Sequence, residues 1–341
     1  MKNIKNDIKN ADFKRVYLLF GKENYLKRLY ADKLKKAVVP EEDSMNCTVI
    51  QGDSFDTNAF IGMCDTMPFF ADRRLVLVNR CGKFKGRKKE TEEKPEEEQE
   101  EAPKDSLAEY IKMIPDTTVV VFVEDEADKR SKLYKAVKEH GYACEMNQLD
   151  EKDLMLWIGT EFKALGKSIT ADTASYLMGW SGTDMGNLKV EIEKLGFYAM
   201  DRNSVERADI EAVCTRQLSS VVFDLTDALA EGKQGKALKV YEELIKTRQP
   251  VQLIWRMLLK HFMQLLAVKE LRNKGRSSDE IASSTGIHPF AVQKMVRQIG
   301  TYKLSQIRKK IELGVQLEQD LKSGRIDEKN LVELFITQGG I

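Results

Sequence analysis

Thr117-Thr118-Val119-Val120-Val121-Phe122-Val123 is a run in which every position is β-branched or aromatic. A strand that is apolar at successive positions, rather than at alternate ones, has to be covered on both faces. That is the situation of a central strand in a parallel sheet flanked by helices. The neighbouring sequence supplies the other layers. Val16 to Gly21, Cys47 to Ile50, Arg74 to Asn79 and Ala143 to Met146 read as further strands. Between them, Tyr25, Leu26, Leu29, Tyr30 and Leu34 recur at helical spacing with Pro40 just beyond, and helices are predicted over Asn58 to Met67, from Leu107 to near Pro115, and over Ser131 to Glu139. Alternation of this kind predicts an α/β domain with a parallel sheet.

Two stretches break the pattern. From Lys83 to Lys104 basic residues give way to glutamates interrupted by Pro95 and Pro103, with Phe84 the one large apolar side chain. Such a segment cannot bury enough surface to offset its ordering entropy, so a disordered charged insertion is predicted over 83–104. After Asp150 the strand signals stop. Leu154, Trp157, Ile158 and Phe162 share one helical face, Ile169-Thr170-Ala171-Asp172 reads as an N-cap, Leu188, Ile192 and Leu195 align, and a short helix is predicted near Ala208 to Val213. From Val221 onward the chain reads as helix almost throughout, including Val251 to Lys274 and Tyr302 to Lys322. The 341 residues exceed one ordinary core, since domains take roughly 100 to 200 residues each. The expected division is an α/β domain over 1–147, a small helical domain over 148–216 and a larger helical domain over 217–341, so α/β followed by all-α.

Charge and cysteine usage exclude several functions. Lys+Arg 55 against Asp+Glu 54 leaves a net charge of +1, so the surface as a whole is no electrostatic match for nucleic acid. Cys47, Cys64, Cys81, Cys144 and Cys214 are odd in number and never form a C-x-x-C pair, which suggests neither a disulfide framework nor a metal site. No window approaches the roughly 20 apolar residues of a membrane helix, and the N-terminus lacks an apolar h-region. A soluble, cytoplasmic protein is expected. His140, His261 and His288 are the only histidines, and none stands beside a Ser or Cys nucleophile.

Gly21-Lys22 at the end of one strand and Glu124-Asp125-Glu126 at the end of another imitate the two halves of a phosphate-binding ATPase site. A phosphate cradle needs G-x-x-x-x-G-K-[ST]. Here Val16 stands where the first glycine is needed, and Lys22 is followed by Glu23, whose carboxylate repels phosphate. Gly21 and Lys22 therefore read as a degenerate nucleotide loop, and Asp125 and Glu126 as helix-capping or surface residues. An active ATPase remains the enzymatic alternative. A second alternative is helix-turn-helix DNA binding over 279–298. There Ala282 would allow close helix approach, Gly286 the turn and Val292 the packing, with Gln293, Lys294, Arg297 and Gln298 on the second helix. Pro289-Phe290 occupy the positions that should read bases, which favours two packed structural helices.

Met67-Pro68-Phe69-Phe70-Ala71-Asp72-Arg73-Arg74 places two adjacent phenylalanines between a proline and a run of charge. Either the rings close the end of a helix and pack inward before the next strand, or they stay exposed for a partner.

Taken together, these features resemble the delta-subunit family of the bacterial DNA polymerase III clamp loader. The resemblance is carried by Tyr17-Leu18-Leu19-Phe20-Gly21-Lys22-Glu23-Asn24-Tyr25-Leu26, by Met67 to Val76, and by Asp128-Lys129-Arg130-Ser131-Lys132-Leu133-Tyr134-Lys135. It continues through Glu191-Ile192-Glu193-Lys194-Leu195, Val222-Phe223-Asp224-Leu225-Thr226-Asp227-Ala228-Leu229, Ile287-His288-Pro289-Phe290 and Asp320-Leu321-Lys322-Ser323-Gly324. It implies an AAA+-like domain with a degenerate nucleotide site, a helical lid and a C-terminal helical collar that assembles with gamma/tau and delta-prime subunits. It further implies binding to the beta sliding clamp, whose ring the subunit opens or holds open for loading onto primer-template DNA, without a cofactor, a metal or a membrane. The subunit is no enzyme by itself, although the holoenzyme is a DNA-directed DNA polymerase. The clamp-binding element of the family is a hydrophobic pair on a helix at the tip of the first domain, which maps to Phe69 and Phe70, with Met67 beside them and Arg73 and Arg74 as a polar rim. The resemblance also leaves room for a DNA-proximal collar loop at His288, Phe290 and Lys294.

Overall fold

In the computed structural model the described residues are 2–39, 45–86 and 104–338. Pro40 and most of the predicted charged insertion lie outside them. The chain divides into two compact units, Met1–Gln148 and Leu149–Ile341.

The first unit opens with α1 (Lys2–Asn10), followed by β1 (Val16–Phe20), α2 (Asn24–Val38), β2 (Cys47–Gln51), α3 (Thr57–Asp65) and β3 (Arg74–Asn79). After the insertion come α4 (Lys104–Ile111), β4 (Thr118–Glu124), α5 (Lys132–His140) and β5 (Tyr142–Glu145). The strands form a parallel sheet of order β2-β3-β4-β1-β5, with Val16 opposite Val120 and Val76 opposite Val120 on the other side. The β-branched run is therefore the middle strand, as its continuous apolar character predicts. Its Val119, Val120, Val121 and Phe122 are fully buried. Thr118 is buried too, and its hydroxyl donates to the Cys64 carbonyl at 2.7 Å, which ties the end of α3 to the start of β4. α1 had no sequence signature. It buries Ile4, and its Asp7 accepts from the Tyr17 hydroxyl at 2.9 Å.

One correction concerns the insertion. Phe84 is not part of a solvated segment: it is fully buried, and its ring lies 5.1 Å from Phe122. Phe122 in turn meets Phe60 at 5.7 Å, and Phe60 meets Tyr110 edge to face at 6.1 Å. An aromatic side chain overrides the polarity around it when a hole of its own size is waiting. The Asp128 N–H also donates to the Phe84 carbonyl at 2.8 Å, so the backbone is anchored there as well.

The second unit is helical. It contains α6 (Glu151–Ala164), α7 (Ala171–Ser181), α8 (Met185–Tyr198), α9 (Arg207–Val213), α10 (Leu218–Ala230), α11 (Gln234–Lys246), α12 (Val251–Asn273), α13 (Ser278–Thr285), α14 (Pro289–Gln298), α15 (Leu304–Lys322) and α16 (Glu328–Thr337). The residues predicted as lid and collar both lie in this unit. A parallel ladder of two residues, β6 (Ser168–Ile169) with β7 (Ser204–Val205), is an exception to the expected end of strand structure. The core gathers Trp255, Phe262, Tyr302 and Phe335, whose rings meet edge to face at 5.3 to 5.9 Å. Beside it runs a buried polar chain: His261 Nε2 to Gln298 Oε1 at 2.9 Å, Gln298 Nε2 donating to Thr226 Oγ1 at 2.9 Å, and the Tyr302 hydroxyl donating to the Thr226 carbonyl at 2.9 Å. Burial pushes the His261 imidazole down to about 4, so the ring is neutral. The chain joins α10, α12 and α14 with directional bonds inside an otherwise apolar contact.

Truncating Phe84 tests the anchoring of this segment. Phe84→Ala is expected to destabilise the protein by about 3 to 5 kcal/mol through the cavity left against Phe122, read as a lower urea midpoint. A loss below about 1 kcal/mol would show that the ring contributes little to the core.

Candidate functional site

The exposed apolar cluster of the first unit lies between α3 and β3. The α3 helix ends at Asp65 with Thr66 in extended conformation, and residues 66–73 are neither helix nor strand. The aromatic pair thus sits on a loop and not on the helix that the resemblance implies. Neither ring packs inward. Phe70 is 96% exposed and Phe69 58%, with Met67 and Met45 exposed as well. The two rings meet edge to face, 4.5 Å between centroids at 82°. Phe70 has φ +49°, the left-handed region that a bulky L-residue enters only at a steric cost.

This conformation is held from another segment. Asn46, 1% exposed, receives the Phe69 N–H on Oδ1 at 2.7 Å and donates from Nδ2 to the Phe69 carbonyl at 2.8 Å. Its own carbonyl accepts from the Leu75 N–H at 2.8 Å, the entry to β3. Nothing in the sequence marks Asn46, because its partner lies 23 residues away.

The two arginines play different parts from a shared polar rim. Arg74 is 6% exposed and faces inward, donating to the Thr66 carbonyl at 2.9 Å and to Thr48 Oγ1 at 3.2 Å, so it closes the loop from beneath. It is no rim residue. A buried guanidinium is worth keeping where several carbonyl and hydroxyl acceptors converge, although here its Nε finds no partner among the described residues. Arg73 is half-buried, over the Phe13 ring at 5.5 Å and 3.3 Å from the Phe13 carbonyl.

At the degenerate nucleotide loop, Gly21 has φ +121°, and a Cβ there would stand 2.4 Å from the Met146 carbonyl oxygen. The Glu23 N–H donates to that same carbonyl at 2.9 Å, and the Glu23 carboxylate accepts from Tyr25 N–H at 3.0 Å as the cap of α2. A carboxylate therefore occupies the helix N-terminus where a phosphate would sit. Lys22 is exposed. The lysine that does turn inward is Lys27, donating to the Glu124 carbonyl and to Asp125, both at 2.9 Å. That hydrogen bond holds the Asp125 carboxyl below its ordinary range, whereas burial raises that of Glu124.

In the second unit, Gly286 does take the left-handed cap between α13 and α14, with Ala282 and Val292 buried as the helix-pair reading requires. The proposed DNA-proximal residues turn inward. His288 caps α14 through Nδ1, Phe290 is buried, and Lys294 lies between the rings of Phe290 and Phe223 at 5.2 and 5.4 Å. Burial lowers both His288 and Lys294. Gln298 is consumed by the polar chain to His261 and Thr226. Only Arg297 of the supposed base-reading set is exposed. A cleft of about 300 Å³ beside it carries Arg207 over Tyr176 at 5.1 Å and Arg216 over Trp180 at 4.6 Å, both arginines also paired, with Asp172 and Asp224. Among the described residues there is no cluster of His, Cys, Asp and Glu able to hold a metal ion, and no helix long and apolar enough to cross a membrane.

Two family models match the chain: the DNA polymerase III delta subunit over residues 17–147, and the C-terminal domain of the same subunit over residues 219–339. A Bacillus subtilis (strain 168) protein named DNA polymerase III subunit delta is 27% identical over 334 residues, covering 97% of this chain and 94% of that protein. A probable DNA polymerase III subunit delta of Aquifex aeolicus (strain VF5) is 27% identical over 283 residues, covering 80% and 76%. Among solved structures, the Bacillus subtilis DNA clamp loader delta protein superposes with a TM-score of 0.78 at 26% identity, over 99% of this chain and 98% of the other.

The strain at Phe70 is measurable in the free protein. Phe70→Asn, whose short side chain tolerates the left-handed region, is expected to raise unfolding free energy by about 1 kcal/mol in a urea titration. A loss of that size would show that the Phe70 ring contributes folding contacts.

Proposed function

The chain belongs to the DNA polymerase III delta subunit family and is a clamp loader subunit, and from that premise we propose that its 67–73 loop docks on the beta sliding clamp through Phe69 and Phe70. The observation that carries this reading is the exposure of two adjacent phenyl rings on a loop whose backbone is already fixed. Two large apolar rings left in water at one spot call for a reason outside the monomer fold. A partner surface with two apolar pockets supplies one.

Burial of each ring contributes roughly 1.5 to 3 kcal/mol, so the pair supplies about 3 to 6. Met67 widens the apolar area, and Arg73 stands at its edge, where charge affects association rate more than affinity. Arg74 acts from inside the fold, by holding the loop. Docking opens a ring only to the extent that the open form is bound more tightly than the closed one. Moving a two-state equilibrium from 1:99 to 99:1 takes about 5.5 kcal/mol. The two rings reach that figure only if nearly all of their binding energy is realised on the open clamp. Holding open a ring that already opens by itself demands less.

The remaining features support a non-hydrolysing role. Glu23 occupies the anion position at the start of α2 and Gly21 packs against Met146, so ATP is supplied and hydrolysed by partner subunits. The helical second unit offers the assembly surface toward gamma/tau and delta-prime subunits, with primer-template DNA held within the complex, in the cytoplasm.

Phe69→Ala combined with Phe70→Ala is expected to weaken clamp binding by at least about a hundredfold in calorimetric titration, with the urea midpoint retained. Unchanged affinity would overturn the docking site. The isolated chain is expected to show no saturable ATP binding, and a stoichiometric binding isotherm would restore the ATPase reading.

A further inference from the structure

The 67–73 loop has an unusual dependence on side chains. Among the described residues, no backbone-to-backbone hydrogen bond reaches residues 67–73. A loop of this kind would normally sample many conformations, and a bulky residue with φ +49° would leave that region first. What holds the peptide is the carboxamide of Asn46. Its Oδ1 takes the Phe69 N–H at 2.7 Å and its Nδ2 gives to the Phe69 carbonyl at 2.8 Å. These are the two bonds that an adjacent strand residue would make, so the side chain substitutes for a missing strand. Asn46 is buried, and its carbonyl is bound by the Leu75 N–H at 2.8 Å, so the clasp is itself fixed to the sheet at the entry to β3.

We infer that Asn46 is a positioning residue for clamp docking: it keeps the Phe69–Phe70 loop in its binding conformation before the clamp arrives. The inference rests on the docking reading given above and deepens it. The physical consequence follows from population arithmetic. If only a fraction of free molecules hold the loop correctly, the apparent dissociation constant rises by the inverse of that fraction. In this role Asn46 does not itself contact the clamp. It acts through the Phe69 backbone, and the rings remain the contact groups.

The test uses the full chain with Asn46→Ala, and reads loop order and docking separately. Chymotrypsin cleaves after phenylalanine, and cleavage requires a segment that can adapt to the protease. Loss of the clasp is expected to raise the rate of cleavage after Phe69 or Phe70 by about tenfold in the free protein, with a matching weakening of about tenfold in clamp affinity by calorimetry. The urea midpoint moves far less, because most of the core is untouched, whereas a merely structural role would move the midpoint and leave the local cleavage ratio alone. Should Asn46→Ala not fold, Asn46→Asp decides on the same readouts, since it keeps the acceptor for the Phe69 N–H and loses the donor. Wild-type cleavage at Phe69 and Phe70 overturns the inference. So does wild-type clamp affinity in an Asn46 variant when the Phe69→Ala, Phe70→Ala control has lost binding. If that control binds as tightly as the wild type, the docking reading has failed instead, and the positioning role for clamp binding falls with it, even if cleavage shows that the clasp orders the loop.

Discussion

A parallel sheet is stable only when both of its faces are covered, because its strands reach one another through crossovers that lay helices across them. The first unit meets this requirement around β4, whose buried valines and Phe122 form the floor for helices on either side. The other features of the unit follow from that cover. Phe60, Phe84 and Tyr110 fill one side as a continuous aromatic group. Thr118 pins the end of α3, and the chain leaving α3 at Thr66 must then return to the sheet at Arg74 within a few residues. The apolar loop occupies that short return.

Two carboxylate sites show how the same kind of scaffold can be used for different ends. At the start of α2, Glu23 supplies from within the chain the negative charge that a helix N-terminus attracts. At the end of β4, Asp125 is balanced by Lys27 and Arg80, while Glu124 lies buried against Cys81 and the Gly82 N–H. Charge in this region is paired internally. The second unit repeats the theme, since Lys294, His288 and Gln298 are spent on packing and capping rather than presented to solvent.

Much of this was legible in the sequence where the signal is local and periodic. The β-branched run, the alternating strands and helices, the amphipathic helices after Asp150 and the glycine at 286 all lie where their spacing and conformational preference put them. The failures share a physical cause, which is that burial is decided by partners far along the chain. Phe84 looked solvated because its neighbours are charged, but its partner is Phe122. Arg74 looked like one of two equivalent surface cations, yet the Thr66 carbonyl and Thr48 hydroxyl draw it inward. The exposed rings were recognisable as an unusual pair. Their conformation was not, because it depends on an asparagine with no motif around it.

The Asn46 clasp has a consequence for strand pairing. β2 lies at the edge of the sheet, and of its five residues only Ile50 is buried, so hydrophobic patterning specifies its alignment weakly. A slip of one residue would carry Asn46 along the strand by about 3.3 Å, enough to break both bonds to Phe69. The loop therefore serves as a gauge of edge-strand register. A molecule that has folded with β2 out of step presents no ordered aromatic pair, so the same two hydrogen bonds that shape the loop also couple its display to correct assembly of the sheet.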